Sequence, residues 1–152
     1  GDMVAAALLE AGAEAVQIEL GGDVRVAGPS WSDGPWQVQV DDSDHGRARP
    51  ATISLASGGV ATSSVLRRRW RRGGIDVHHL IDPSTGRSAR TDLDAVTVVG
   101  PTLWWAEVVS KVALIRGSLL GRVLLEEFGM SGVLVGCDIA RRYEVVTKAV
   151  AA

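Results

Sequence analysis

One stretch constrains the fold more than any other: PTLWWAEVVSKVALIR, Pro101 to Arg116, is apolar almost all the way round. Proline suits the first turn of a helix, and the spacing predicts one helix running to about Arg116. Only Glu107, Ser110 and Lys111 interrupt the apolar surface, as one narrow polar stripe with Glu107 and Lys111 at i and i+4. Such a helix must be covered on most of its sides, so the chain has to supply layers around it. As a surface pair Glu107 and Lys111 would contribute about 0.3–0.5 kcal/mol. On a mostly buried helix the stripe meets either a thin band of solvent or a site, and both readings are open.

The rest of the chain supplies those layers. Asp2 is placed to cap a first helix with Val4, Leu8 and Leu9 on its apolar stripe and Gly12 at its end. AVQIEL and VRVAG alternate as strands around Gly21-Gly22-Asp23, which suits a tight turn or a close backbone approach. WQVQV, ATISLA, GGVATSS and DAVTVVG follow as strand patterns, and Gly117 and Gly121 bracket a second helical run, SLLGRVLLEEFG, before GVLVGC and YEVVT. This order, in 152 residues without a repeat or low-complexity linker, predicts a single α+β domain, a layered mixed sheet with packed helices.

Charge narrows the function classes. A formal net charge of -2 gives no global pull towards nucleic acid or anionic lipid. The basic cluster RRRWRR, Arg67 to Arg72, reads as a solvated edge or loop; its functional alternative is a platform for phosphates or single-stranded nucleic acid. Asp41, Asp42 and Asp44 beside His45 fit a solvated hairpin tip better than a metal site. Cys137 has no partner for an internal disulfide and, within GVLVGCDIA, reads as a small core residue. No run approaches the roughly eighteen apolar residues of a membrane helix. Compartment and oligomeric state stay open.

The stretch HHLIDPSTG, His78 to Gly86, carries the most chemistry. Strand alternation sends His78 and His79 to opposite faces, so one imidazole at most faces a given pocket. Pro83 fixes φ for a turn, Asp82 can accept from the amides that follow, and Gly86 can take a positive φ. A histidine held by such a turn is a natural base for a hydroxyl nucleophile. A purely structural turn, with one packed and one exposed histidine, explains the same residues.

LGGDVRVAG, GGVATSS, HHLIDPSTGRS and AEVVSKVALIRG, in this order, resemble the carboxyl-terminal half of the FAD:protein FMN transferase, or ApbE-like, family. The resemblance implies an ApbE-like (T-fold-like) domain, present in part. It implies binding of FAD with Mg²⁺, cleavage of the pyrophosphate, and attachment of FMN to a Thr or Ser of a target flavoprotein with release of AMP. His79 falls on the family's motif histidine, the base that activates the acceptor hydroxyl, and would also contact the flavin nucleotide. Leu80 and Ile81 fall on positions that line the flavin site. Glu107 falls on a metal-binding aspartate and Lys111 on a metal-binding threonine. An ammonium has only donors and repels Mg²⁺, so Lys111 departs from the pattern and puts metal dependence in question. Glu19 and Ser64 depart from the family's Asn and Gly. The family's Asp-x-x-Ala-x-x-Lys-Gly segment would lie just ahead of Gly1, so residues 1–152 are expected to be the carboxyl-terminal portion of one flavin transferase domain whose amino-terminal half is a missing partner. Alternatives are a degenerate FAD-binding relative without transfer, and a non-enzymatic Arg/Trp interaction module.

Overall fold

The computed structural model describes residues 1–40, 51–137 and 142–145. The run from Asp41 to His45 lies outside them. Among the described residues are three helices, α1 (Asp2–Glu10), α2 (Leu103–Arg116) and α3 (Ser118–Glu127). The strands are β1 (Val16–Leu20), β2 (Asp23–Ala27), β3 (Trp36–Val40), β4 (Ala51–Leu55), β5 (Gly58–Ser64) and β6 (Arg69–Arg72). There follow β7 (Ile75–His78), β8 (Ile81–Asp82), β9 (Arg87–Ser88), β10 (Leu93–Gly100), β11 (Ser131–Gly136) and β12 (Arg142–Val145). The class is α+β, as the patterning predicts. No described helix is long and apolar enough to cross a membrane.

The chain divides into two compact units, Gly1–Ala61 with Val99–Glu107, and Thr62–Val98 with Val108–Ala152. In the first, β1 and β2 form an antiparallel hairpin in register from Val16↔Ala27 to Leu20↔Asp23. Gly21 and Gly22 both have left-handed φ, 64° and 100°, the geometry of a two-residue turn that matches strand twist. A Cβ at either would meet nothing within 4 Å, so no packing within the chain calls for this glycine pair, and the tight turn accounts for both. β2 continues onto the opening residues of β5, pairing Val24↔Val60 through Val26↔Gly58. Period-two patterning places Val24, Val26, Trp36, Val38, Leu55 and Val60 in one buried cluster, while Ala5 of α1 packs on Val16 and Ala27. The indole of Trp36 donates to the Gly28 carbonyl at 2.9 Å, satisfying its buried N–H.

The close approach in this unit occurs at β5 instead. A Cβ on Gly59 would lie 2.3 Å from the Leu103 Cα, so glycine is what lets the start of α2 lie on the strand. The end of α2 is fixed there by Asp2, whose carboxylate accepts from the Leu103 amide at 3.0 Å and the Trp104 amide at 2.8 Å. Asp2 is therefore not the cap of its own helix; Gly1 holds that place without a side-chain bond. Thr102 adds a local cap, accepting from the Trp105 amide at 3.2 Å.

In the second unit the closing residues of β5 are followed across the sheet by β10, β11 and β12. Thr62 meets Thr97 hydroxyl to hydroxyl at 2.9 Å, and Val65 donates to the Asp94 carbonyl at 2.9 Å, a pairing whose residue numbers run in opposite directions. Leu93, Val96, Val98, Leu114, Leu125 and Leu134 are fully buried. α3 is capped from a distance, the Ser118 amide donating to Asp92 at 2.9 Å. Gly121 does not bracket this helix but sits inside it, where a Cβ would come 3.0 Å from the Ala113 carbonyl. Cys137 is exposed rather than core: it follows the last residue of β11, where the strand has left the packed layer.

Helix α2 is less covered than its composition predicts. Leu103, Ala106, Val109, Ala113 and Leu114 are buried, but Trp104 is 61% exposed. The polar stripe splits as well. Ser110 is fully buried, bonded to Ser63 of β5 at 3.0 Å, while Glu107 is exposed and Lys111 half-buried.

Candidate functional site

Two short hairpins carry the HHLIDPSTG stretch. β6 pairs with β7 from Arg69↔His78 to Arg72↔Ile75, the chain bends at His79, and β8 pairs with β9 through Ile81↔Ser88 and Asp82↔Arg87. The turn is built as its residues dictate. The Asp82 carboxylate accepts from the Ser84 amide at 2.9 Å and the Ser84 hydroxyl at 2.7 Å. Its carbonyl accepts from the amides of Thr85 and Gly86 at 3.2 and 2.8 Å, and Gly86 has φ 66°. The Ser84 hydroxyl and amide hold the Asp82 carboxyl below its ordinary value.

The two histidines have separate duties. The Nε2 of His78 donates to the Ala89 carbonyl at 3.0 Å, which leaves Nδ1 to accept from the Leu80 amide at 3.3 Å. Ser88 closes the loop, accepting from the His78 amide and donating to its carbonyl. His78 is thus occupied in holding the bend. His79 is half-buried, and its buried Nδ1 has no hydrogen-bond partner among the described residues. Burial, and then electrostatic effects of Arg68, the neighbouring His78 and Lys111, hold its imidazole below the ordinary value. The ring is therefore held towards the neutral form, the form a base requires.

Of the residues singled out by resemblance, the structure brings His79 within electrostatic reach of Lys111. Leu80 is buried and both its backbone groups are bonded, the amide to His78 and the carbonyl to the Ala89 amide at 2.9 Å. Ile81 is exposed. Glu107 sits one helical turn before Lys111 on α2. The sequence reading missed Arg68, the one non-glycine described residue with a left-handed φ, 55°. Its charge acts on His79, and neither its conformation nor its neighbourhood could be read from a run of like residues. On the His78 side a cavity of about 690 Å³ is lined by Arg69, His78, Arg90, Asp94 and Cys137 among others, but by none of His79, Leu80 or Ile81. Partial burial and then Asp94 push the Cys137 thiol up, away from a reactive thiolate.

Mg²⁺ fits this donor set poorly. Glu107 offers one carboxylate, Lys111 none, and the described residues contain no group of three or more His, Cys, Asp or Glu able to hold a metal.

The ApbE family model matches residues 1–134, and the chain belongs to that family. It is 30% identical over 120 residues to the FAD:protein FMN transferase of Treponema pallidum, covering 73% of this chain and 33% of that protein. Against the Haemophilus influenzae FAD:protein FMN transferase the identity is 31% over 118 residues, with 76% and 34% covered. The chain thus spans about a third of the length of these curated relatives. Among solved structures, the ApbE protein of Thermotoga maritima superposes with TM-score 0.76 at 29% identity, covering 89% of this chain and 44% of that one. The flavin transferase ApbE of Vibrio cholerae gives TM-score 0.79 at 24% identity, with 96% and 47% covered, and supports the fold alone.

Proposed function

We propose that the intact protein moves FMN from FAD to a Thr or Ser hydroxyl of a target flavoprotein and releases AMP, with this chain supplying the carboxyl-terminal portion of one flavin transferase domain. The observation that carries the reading is His79: a half-buried imidazole whose Nδ1 has no hydrogen-bond partner among the described residues, held towards the neutral form by burial and then by charges that include Arg68 and Lys111. The acceptor oxygen attacks the phosphorus on the FMN side of the pyrophosphate, and the anhydride P–O bond breaks. AMP leaves with that electron pair, and the hydroxyl proton passes to the His79 imidazole. Arg68 and Lys111 offset negative charge on the phosphates. Ile81, exposed beside the motif turn, offers apolar surface to the flavin portion, and Leu80 holds the turn from within. Lys111 supplies a fixed cation where the family pattern implies a metal ligand, one helical turn after Glu107.

The experiment is FMN transfer to a Thr-bearing target by the intact protein, followed by flavin fluorescence of the denatured product. His79→Ala should lower the rate by about 10²–10⁴, the range for a lost general base, with FAD affinity largely kept. His78→Ala should keep transfer while lowering stability, because its ring bonds are structural. Equal transfer by wild type and His79→Ala would return this stretch to a structural role. FAD binding by the wild type without any transfer would favour the degenerate relative, a reading that the departure at Lys111 supports.

A further inference from the structure

The arginine cluster is not absorbed by the catalytic reading. Arg67 to His78 carries five arginines and one aspartate, a net charge of four positive in a chain of net charge -2, so the rest of the chain is acidic and this charge is concentrated. The structure gives that segment a form that a solvated loop would lack. β6 and β7 make a two-stranded sheet of their own, and every residue of β6 is exposed. The register sets Trp70 opposite Val77 and Arg72 opposite Ile75, and alternation puts these four on one face. Trp70 is 50% exposed and Ile75 68% exposed, so the face offers an aromatic ring, an aliphatic side chain and a guanidinium to solvent together. The other face carries Arg69 and Arg71, with Arg71 3.7 Å from the exposed Asp76 and donating to the Gly74 carbonyl at 3.1 Å.

We infer that this hairpin is the docking surface for an acidic, extended segment of the target protein next to its acceptor hydroxyl. The inference rests on the transfer reading of His79. Two observations favour a peptide over a nucleic acid. Ile75 and Val77 share the face of Trp70, and aliphatic groups suit peptide side chains rather than a run of stacked bases. The hairpin also runs directly into His79, with β7 ending one residue before it, so a segment held along the hairpin is tethered next to the proposed base. The Arg68 backbone, in its left-handed conformation, stands at the hairpin's entry and its charge acts on His79. Binding remote from the reacting atoms in this way raises the effective concentration of the hydroxyl.

The test uses the intact protein and two fluorescein-labelled synthetic peptides of equal length, each with one Thr, flanked in one by Asp and Glu and in the other by Asn and Gln. Oligothymidylate of matching charge is the third probe, and FAD affinity is measured separately by flavin fluorescence. The acidic peptide should bind about tenfold more tightly than the neutral one, with the difference shrinking as salt rises. Arg72→Glu should remove that preference, and Trp70→Ala should weaken both peptides, with FAD affinity unchanged in each variant. Equal binding of the two peptides, or an acidic preference that survives Arg72→Glu, would overturn the inference. So would tighter binding of oligothymidylate than of the acidic peptide. Loss of the His79 reading would appear elsewhere, in transfer that is indifferent to His79→Ala, and so would be told apart from failure of the docking surface.

Discussion

Removing the Asp2 carboxylate tests how α2, the helix that carries Glu107 and Lys111, is held at its start. In Asp2→Ala two helix amides, Leu103 at 3.0 Å and Trp104 at 2.8 Å, lose their acceptor. Loss of an N-terminal cap costs about 0.5–2 kcal/mol. The same substitution removes the anion beside Arg25, whose Nε lies 2.9 Å from the Asp2 carboxylate with its side chain 15% exposed, although its Nη1 keeps the Val26 and Gly58 carbonyls as acceptors. Breaking an exposed pair costs under about 1 kcal/mol, breaking a fully buried one about 3–5 kcal/mol, and this intermediate pair falls at about 1–2 kcal/mol. The total is about 1.5–4 kcal/mol, measured as a shift in urea midpoint at constant m-value on the intact protein. Asp2→Asn keeps one acceptor and should lose about half as much. The pH dependence has a definite sign. Burial alone would raise this carboxyl, but the amides of Trp104 and Leu103, with Arg25, bring it below its ordinary 3.8. Its contribution is thus complete above the unfolded value and is lost as pH falls from there through the lower folded value. Asp2→Asn should abolish that slope. An Asp2→Ala variant within about 0.5 kcal/mol of wild type would refute the capping argument.

Two further outcomes follow from the geometry. Gly59→Ala forces a Cβ to within 2.3 Å of the Leu103 backbone, so α2 must shift, at about 1–3 kcal/mol or more; unchanged thermal stability would contradict the close approach. Because burial and the cations of Arg68 and Lys111 hold His79 below its ordinary 6.5, the acid limb of the pH profile of kcat/KM should lie below 6.5. Lys111→Met should move that limb upward, whereas an unmoved limb would detach Lys111 from His79. The stability that His79 contributes through this lowering is full above its unfolded value and declines as pH falls towards the folded one.

What could be read from the sequence divides along the distance over which each feature is determined. WQVQV specifies β3 residue for residue because strand period and burial coincide there. The Asp82 to Gly86 turn was equally legible, since all its bonds close within five residues. The caps were not: Asp2 reaches α2 across 101 positions and Asp92 reaches α3 across 26, so the obvious local assignment of Asp2 to its own helix fails. Ser110 was read as part of a polar stripe because a serine shows no sign of its partner; its partner is Ser63, forty-seven residues earlier. Cys137 was misplaced for the opposite reason, since an apolar run does not show where its strand leaves the sheet.

The candidate site itself shows why the motif was legible while its electrostatics were not. His79 could be picked out by its turn, but what lowers its proton affinity is burial first and then charges that include Arg68, eleven residues earlier, and Lys111, thirty-two later. On the proposed reaction these cations do two opposed things. In the free protein they disfavour imidazolium, which keeps the base ready but weakens it. When a pyrophosphate is bound, its negative charges compensate the same cations, and the penalty on a protonated His79 falls. The base is then strengthened when the substrate is in place, and the imidazolium formed by taking the hydroxyl proton is stabilised by the phosphates beside it. A threonine at position 111 would supply an oxygen to a metal but no such charge. On the proposed reaction, Lys111 would move part of the electrostatic work from a bound ion to the chain, and would make the charge state of His79 depend on whether a pyrophosphate is bound.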